Sequence, residues 1–198
     1  MSRRVRLATP ADGPACAAIY RPHVVNGSTS FELEAPSGEE MGRRIAAVLE
    51  RTPWLVAEDG NQILGYAYAG RHRERAAYAW TAETTIYVDE SAHRQGVGRV
   101  LYGALLEALA VQGFHLAVAG ITQPNPASGA LHGALGFDRV GTYHRIGHKQ
   151  GAWWDVAWFE RELAPREAGP LPIVPLAEAR DLPAFRAILE AASAALGG

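Results

Sequence analysis

The sequence predicts a mixed α/β (α+β) fold, with a central, mostly antiparallel sheet and helices packed on it. Three observations lead there. Segments with strand-like and helix-like periodicity follow one another in the order β-α-α-β-β-β-α-β-α-β-β. The runs WLVAED and ILGYAYAG are parted only by the turn residues GNQ, so they read as a hairpin. The strongest helical pattern, Gly98–Gln112, lies between the long alternating run AYAWTAETTIYV, read as a central strand, and the apolar strand FHLAVAGI.

Taken in order, RVRLAT alternates as a short strand that Pro10, Asp12 and Pro14 bring to an end. A helical pattern follows through Ile19 and Val24, and NGSTSFELEAPS is a polar loop. Ser37 and Glu40 have the spacing of a capping box for a second helix, GEEMGRRIAAVLER. After the hairpin and the central strand, Leu101, Leu105 and Leu109 share one face of the long helix, with Val97, Val100 and Ala108 beside them. NPASGALHGALGF predicts a short helix stopped at Gly136, and YHRIGHK and WWDVAWFEREL predict the last two strands. The composition then changes. The 20 residues from Ala164 hold five prolines and predict an extended linker. Leu182, Phe185, Leu189 and Leu196 recur at helical spacing, with Asp181 in reach of an N-cap. The expected organisation is a domain over 1–163 and a Pro-rich linker with a C-terminal helix over 164–198, docked on its own domain or on a partner.

At 198 residues and 48% apolar composition, the chain can bury a sizeable core without covalent staples. Its formal net charge of −2 carries no nucleic-acid footprint. The single cysteine, Cys16, has no partner for an internal disulfide and reads as a small buried residue. There is no run of 18 apolar residues and no signal-like apolar stretch, so the expectation is a cytosolic protein with no membrane partner. His144 and His148 are four apart, but Gly147 and the strand pattern argue against a metal pair, and no metal is expected.

The stretch Arg94-Gln95-Gly96-Val97-Gly98-Arg99 stands between the central strand and the long helix. A helix start offers unsatisfied N–H groups and the positive end of its dipole, and glycine lets a phosphate approach that backbone. A Walker A loop would need Gly-Lys-Ser/Thr, and a dinucleotide fingerprint would need a third glycine where Leu101 stands. A plain turn built on two glycines is the alternative.

This stretch resembles the Q/R-x-x-G-x-G/A signature of the Gcn5-related N-acetyltransferase superfamily. YAWTAETTIYVDESAHRQGVGRVLYGALLEALAVQGF, NPASGALHGALGF and GHKQGAWWDVAWFEREL extend the likeness to the phosphinothricin and methionine sulfone N-acetyltransferase family, over about residues 3–163. The resemblance implies the acetyltransferase fold, acetyl-CoA as co-substrate and a small-molecule amine as acceptor. It also implies that a homodimer is in reach. Glu83 matches the family's catalytic glutamate, although a strand glutamate can equally serve a salt bridge. The backbone of Ile86, Tyr87 and Val88 is implied to pair with the pantetheine arm. The pyrophosphate would lie on Arg94, Gln95, Gly96, Val97, Gly98 and Arg99, and CoA would also touch Asn125 and Ser128, Asn125 doubling as a helix cap. His132 falls where the superfamily places the acid for the leaving thiolate, or it is structural. The family's acceptor contacts match Phe31, Arg73, Glu74, Arg75, Thr84 and Thr85. Even spacing would put Arg73, Arg75 and Glu83 on one face of an unbroken strand; the alternative is a solvated hairpin rim. Ala79 and His72 depart from the family, which has an aspartate and a bulkier aromatic there. Trp153, Trp154 and Asp155 match its closing strand and read as core or dimer edge. An acetyltransferase for another amine, or a non-catalytic acyl-CoA sensor, are the competing functions.

Overall fold

The computed structural model describes residues 3–165 and 169–197. Strand β1 (Arg3–Leu7) leads into α1 (Gly13–Val25), where Pro14 stands in the first turn, the one place its missing N–H costs nothing. The loop that follows ends at Ser37, whose hydroxyl accepts from the Glu40 N–H at 3.1 Å and starts α2 (Gly38–Leu49). Only half of the capping box forms. The Glu40 carboxylate is drawn to Arg43 and Arg44, one turn further along the helix.

The hairpin β2 (Trp54–Asp59) and β3 (Gln62–Arg71) forms as the sequence predicts. The central strand is shorter than its alternation suggests. Ala76–Tyr78 make a tight 3₁₀ turn closed by Tyr78 N–H to Arg75 O and Ala79 N–H to Ala76 O, so β4 covers only Thr81–Val88. The Ala79 carbonyl accepts from Arg51, and the Trp80 indole donates to Leu171 O, which leaves this stretch no reason to extend the ladder. Next come α3 (Val97–Gln112), β5 (Leu116–Gln123), α4 (Pro126–Ala134) and the long hairpin β6 (Asp138–Lys149) with β7 (Ala152–Glu162).

These strands form one open sheet in the order β1-β2-β3-β4-β5-β7-β6, antiparallel except for β4 with β5. On one face, α3 buries Leu101, Leu105 and Leu109 against Leu55, Ala67, Ala82, Ala117 and Ala119. On the other, α1 and α2 cover β2 and β3 through Ile19, Val24, Met41 and Ile45. Cys16 is buried here, and burial pushes its thiol up to about 12, as befits a small core residue.

The C-terminal segment is laid on this framework, although residues 166–168 of the expected linker lie outside those described. Val174 exchanges hydrogen bonds with Gln112 at the end of α3: its N–H donates to the Gln112 carbonyl, and its own carbonyl accepts from the Gln112 amide. After the short α5 (Leu176–Ala179), α6 (Pro183–Gly197) docks against β1 and α3, with Ala192 and Leu196 in the main core. Because α6 begins at Pro183, Asp181 falls before the cap position and its carboxylate binds Arg186 instead. Phe185 is fully buried against Ala108, Leu176 and Ala179. We therefore expect Phe185→Ala to destabilise the whole domain by about 3–5 kcal/mol. A fall in denaturation midpoint confined to loss of helical signal, with the core transition unchanged, would show that the segment is an independent appendage. No helix among the described residues is long and apolar enough to cross a membrane.

Candidate functional site

β4 and β5 pair only from Thr81↔Leu116 to Glu83↔Val118 and then part. The opening leaves a cleft of about 540 Å³ between β4, β5 and the N-terminal ends of α3 and α4. Since Asp89 N–H donates to Leu64 O on the β3 side, strand alternation turns the backbone groups of Ile86 and Val88 toward the cleft. The Ile86 and Val88 side chains pack into the α3 core, whereas the Tyr87 ring turns to the opposite face against Tyr20 and His23. Val88 O accepts from His93 Nε2 at 3.1 Å.

At the α3 start, Arg94 (φ 60°) and Gly96 (φ 80°) both adopt left-handed backbone. The first intrahelical bond is Val100 N–H to Gly96 O, and no side chain caps the helix. The N–H groups of Val97, Gly98 and Arg99 therefore find no partner within the helix, with the exposed Arg94 and Arg99 side chains beside them. Gly98 is less constrained than Gly96: a Cβ there would meet Val88, Leu131 and Ile86 at 3.4–3.8 Å, ordinary contact on the cleft floor. The Gln95 side chain leaves the cleft altogether, accepting from Arg3 and donating to Ser91 O, both at 2.7 Å. Across the opening, Asn125 Oδ1 caps α4 by accepting from Ser128 N–H at 3.0 Å, and both residues line the cleft.

His132 also lines this cleft and is only 3% exposed. Burial lowers its pKa, the Ser128 carbonyl opposing, so the ring is neutral near pH 7. Nδ1–H donates to Ser128 O at 2.7 Å, and Nε2 then accepts from the Tyr102 hydroxyl at 3.1 Å. The chain continues to the Thr84 hydroxyl, 2.7 Å from Tyr102 and 3.1 Å from Val118 O. Both ring nitrogens are engaged, and to donate a proton His132 must first release Ser128. Thr84 thus turns into the core, away from the acceptor contact expected of it.

The opposite face of β4 and β5 carries Glu83, Thr85, Val118 and Gly120, with the Trp158 ring resting 3.4 Å from where a Gly120 Cβ would stand. Glu83 sits at the last β4–β5 pair, its side chain 40% exposed and its Oε2 3.1 Å from His72 Nδ1. The His72 ring is held edge-on by Tyr78 and Trp158. With Arg73, Tyr143 and Trp158 it lines a second cleft of about 330 Å³. The 3₁₀ turn breaks the strand on which Arg73, Arg75 and Glu83 were expected to align. Arg73 reaches the second cleft, but Arg75 does not line it, and Glu74 is exposed and paired with Arg71.

The loop before α2 approaches this face from the side. Its Phe31 ring lies so close to Gly147 that a Cβ there would come within 2.2–2.7 Å of ring carbons. The buried Lys149 donates from Nζ to Ser30 O at 2.6 Å, while Glu32 is held by Tyr20 and Arg44. Lys149, Tyr102 and the His72–Glu83 contact escaped the sequence reading. Only His72 left a trace, as a departure from the family pattern beside a candidate base. Among the described residues no three His, Cys, Asp or Glu gather as metal ligands; His144 Nδ1 pairs with Asp155, and the His148 ring packs on Trp153.

A family model described as an acetyltransferase (GNAT) domain matches residues 5–158. The phosphinothricin N-acetyltransferase of Streptomyces coelicolor is 47% identical over 159 residues, 73% of this chain and 87% of that protein. The L-methionine sulfoximine/L-methionine sulfone acetyltransferase of Pseudomonas aeruginosa is 35% identical over 175 residues, 86% of this chain and all of its own length. A crystal structure of a phosphinothricin acetyltransferase from Sinorhizobium meliloti in complex with acetyl-CoA superposes with a TM-score of 0.80. It is 34% identical, and the match covers 89% of this chain and 99% of that one.

Proposed function

Because this chain belongs to the acetyltransferase (GNAT) domain family, we propose that it is an acetyl-CoA-dependent N-acetyltransferase. Its acceptor is the α-amino group of a small amino acid analogue of the phosphinothricin, methionine sulfone or methionine sulfoximine type. One observation carries this reading: a partly exposed carboxylate, Glu83, stands where β4 parts from β5, next in the chain to Thr84 of the cleft that ends in free helix N–H groups, and bonded to His72 of the second, smaller cleft. The Sinorhizobium relative's complex with acetyl-CoA and the names of the curated relatives support it.

In this mechanism the CoA pyrophosphate lies on the Val97–Arg99 N–H groups and the pantetheine arm runs along Ile86–Val88 as an added strand. Glu83 accepts a proton from the acceptor ammonium. The freed lone pair attacks the thioester carbon, the Val88 N–H steadies the oxygen, and the C–S bond breaks. The thiolate takes the second nitrogen proton directly or through His132. The products are the amide, the free thiol and one proton, which leaves from Glu83. Release of thiol from acetyl-CoA, followed with phosphinothricin, methionine sulfone and methionine sulfoximine in turn, tests the assignment; silence with all three would remove this acceptor class.

Arg73 is the arginine that lines the second cleft, so it becomes the partner for the acceptor's carboxylate in place of Arg75. Arg73→Ala should raise the acceptor KM about 10-fold, a loss of roughly 1.4 kcal/mol, and leave the acetyl-CoA KM alone. Arg75→Ala should do less. The reverse order would put the carboxylate outside the cleft, on the hairpin rim.

A further inference from the structure

We propose that His72 is a positioning residue for Glu83: its Nδ1–H pins one carboxylate oxygen and leaves the other for the acceptor ammonium. The inference rests on the reading of Glu83 as the base. An ionised carboxylate can only accept, so the 3.1 Å contact requires the proton on Nδ1. Three elements fix the ring: β4 through Glu83, the 3₁₀ turn through Tyr78, and β7 through Trp158. With only 17% of its side chain exposed, His72 has little freedom to swing away. Glu83 Oε2 is thereby held against β3's end, and rotation about the terminal carboxyl bond, otherwise broad, is arrested. Oε1 is the oxygen left to meet an amine at the mouth of the β4–β5 opening.

The test uses the full-length protein with acetyl-CoA and methionine sulfone. His72→Phe should lower kcat, by up to about 10²-fold for a misplaced base, with the acetyl-CoA KM unchanged. His72→Gln offers an N–H to Glu83 in place of the imidazole's. It should retain more turnover than the phenylalanine variant. Full kcat in His72→Phe, or a glutamine variant no more active than the phenylalanine one, would overturn the proposal. If the wild type itself transfers no acetyl group to any α-amino acid analogue, it is the acceptor assignment that fails. The pairing is then decided by nitrogen NMR of the imidazole. A proton on Nδ1 supports it. The Nε2–H tautomer sinks it.

Discussion

Replacing Glu83 by glutamine should reduce kcat by roughly 10²–10⁴-fold, the range for a positioned general base, or about 3–5 kcal/mol of barrier. The substitution keeps the shape of the side chain and an acceptor oxygen for His72 Nδ1–H, so the local packing has no cause to change. What disappears is the ability to take a proton from an ammonium group. Acetyl-CoA affinity should persist, because Glu83 lies on the face of β4 opposite the Ile86 and Val88 side chains and does not line the larger cleft. Single-turnover thiol release at saturating acetyl-CoA measures the chemical step alone. Near-normal turnover at neutral pH would make Glu83 a structural carboxylate serving His72, and the proton would have to be sought elsewhere.

Gly96→Asp should raise the apparent acetyl-CoA KM by about 100-fold or more, through two separable causes. At φ 80° any side chain meets the left-handed penalty, about 1–2 kcal/mol for a residue with a Cβ. The added carboxylate then stands beside the bare helix N–H groups proposed to hold the phosphate. Two like charges about 4 Å apart repel by roughly 4 kcal/mol at an effective dielectric of 20 near a protein surface. Nothing else within 4 Å would clash with the Cβ, so the fold should tolerate the change. Gly96→Ala isolates the backbone cost, and the difference between the two variants reports the charge. That difference should shrink as salt is added. If alanine and aspartate behave alike, no anion approaches this turn, and wild-type affinity in both would remove the phosphate site.

Much of this molecule was legible in its sequence, for a physical reason. Period-2 and period-3.6 patterns report which face of an element is buried, and Leu101, Leu105 and Leu109 or the hairpin around Gly60 carry that information locally. Gly96 was equally readable, since a glycine before a helix with no capping side chain implies a backbone need at that position. Ser37 foretold the α2 cap but not that Arg43 and Arg44 would compete for Glu40. The even spacing of Arg73, Arg75 and Glu83 misled, because spacing assumes an unbroken strand. The local 3₁₀ turn over Ala76–Tyr78 and the remote Arg51, which takes the Ala79 carbonyl, decided otherwise.

By itself, the sequence determined the element order, the core faces, the phosphate-loop candidate and the family likeness, all of which depend on neighbours along the chain. Only the tertiary structure decided which polar groups meet. It set Tyr102 between His132 and Thr84, Lys149 under Ser30, and His72 against Glu83. It also laid α6 on β1 and α3. Such contacts join residues 11 to 188 positions apart, the last being Val5 N–H to the Ser193 hydroxyl of α6. Hydrogen bonds act over about 3 Å and depend on direction, so no periodicity along the chain records them until the sheet has brought their donors and acceptors together.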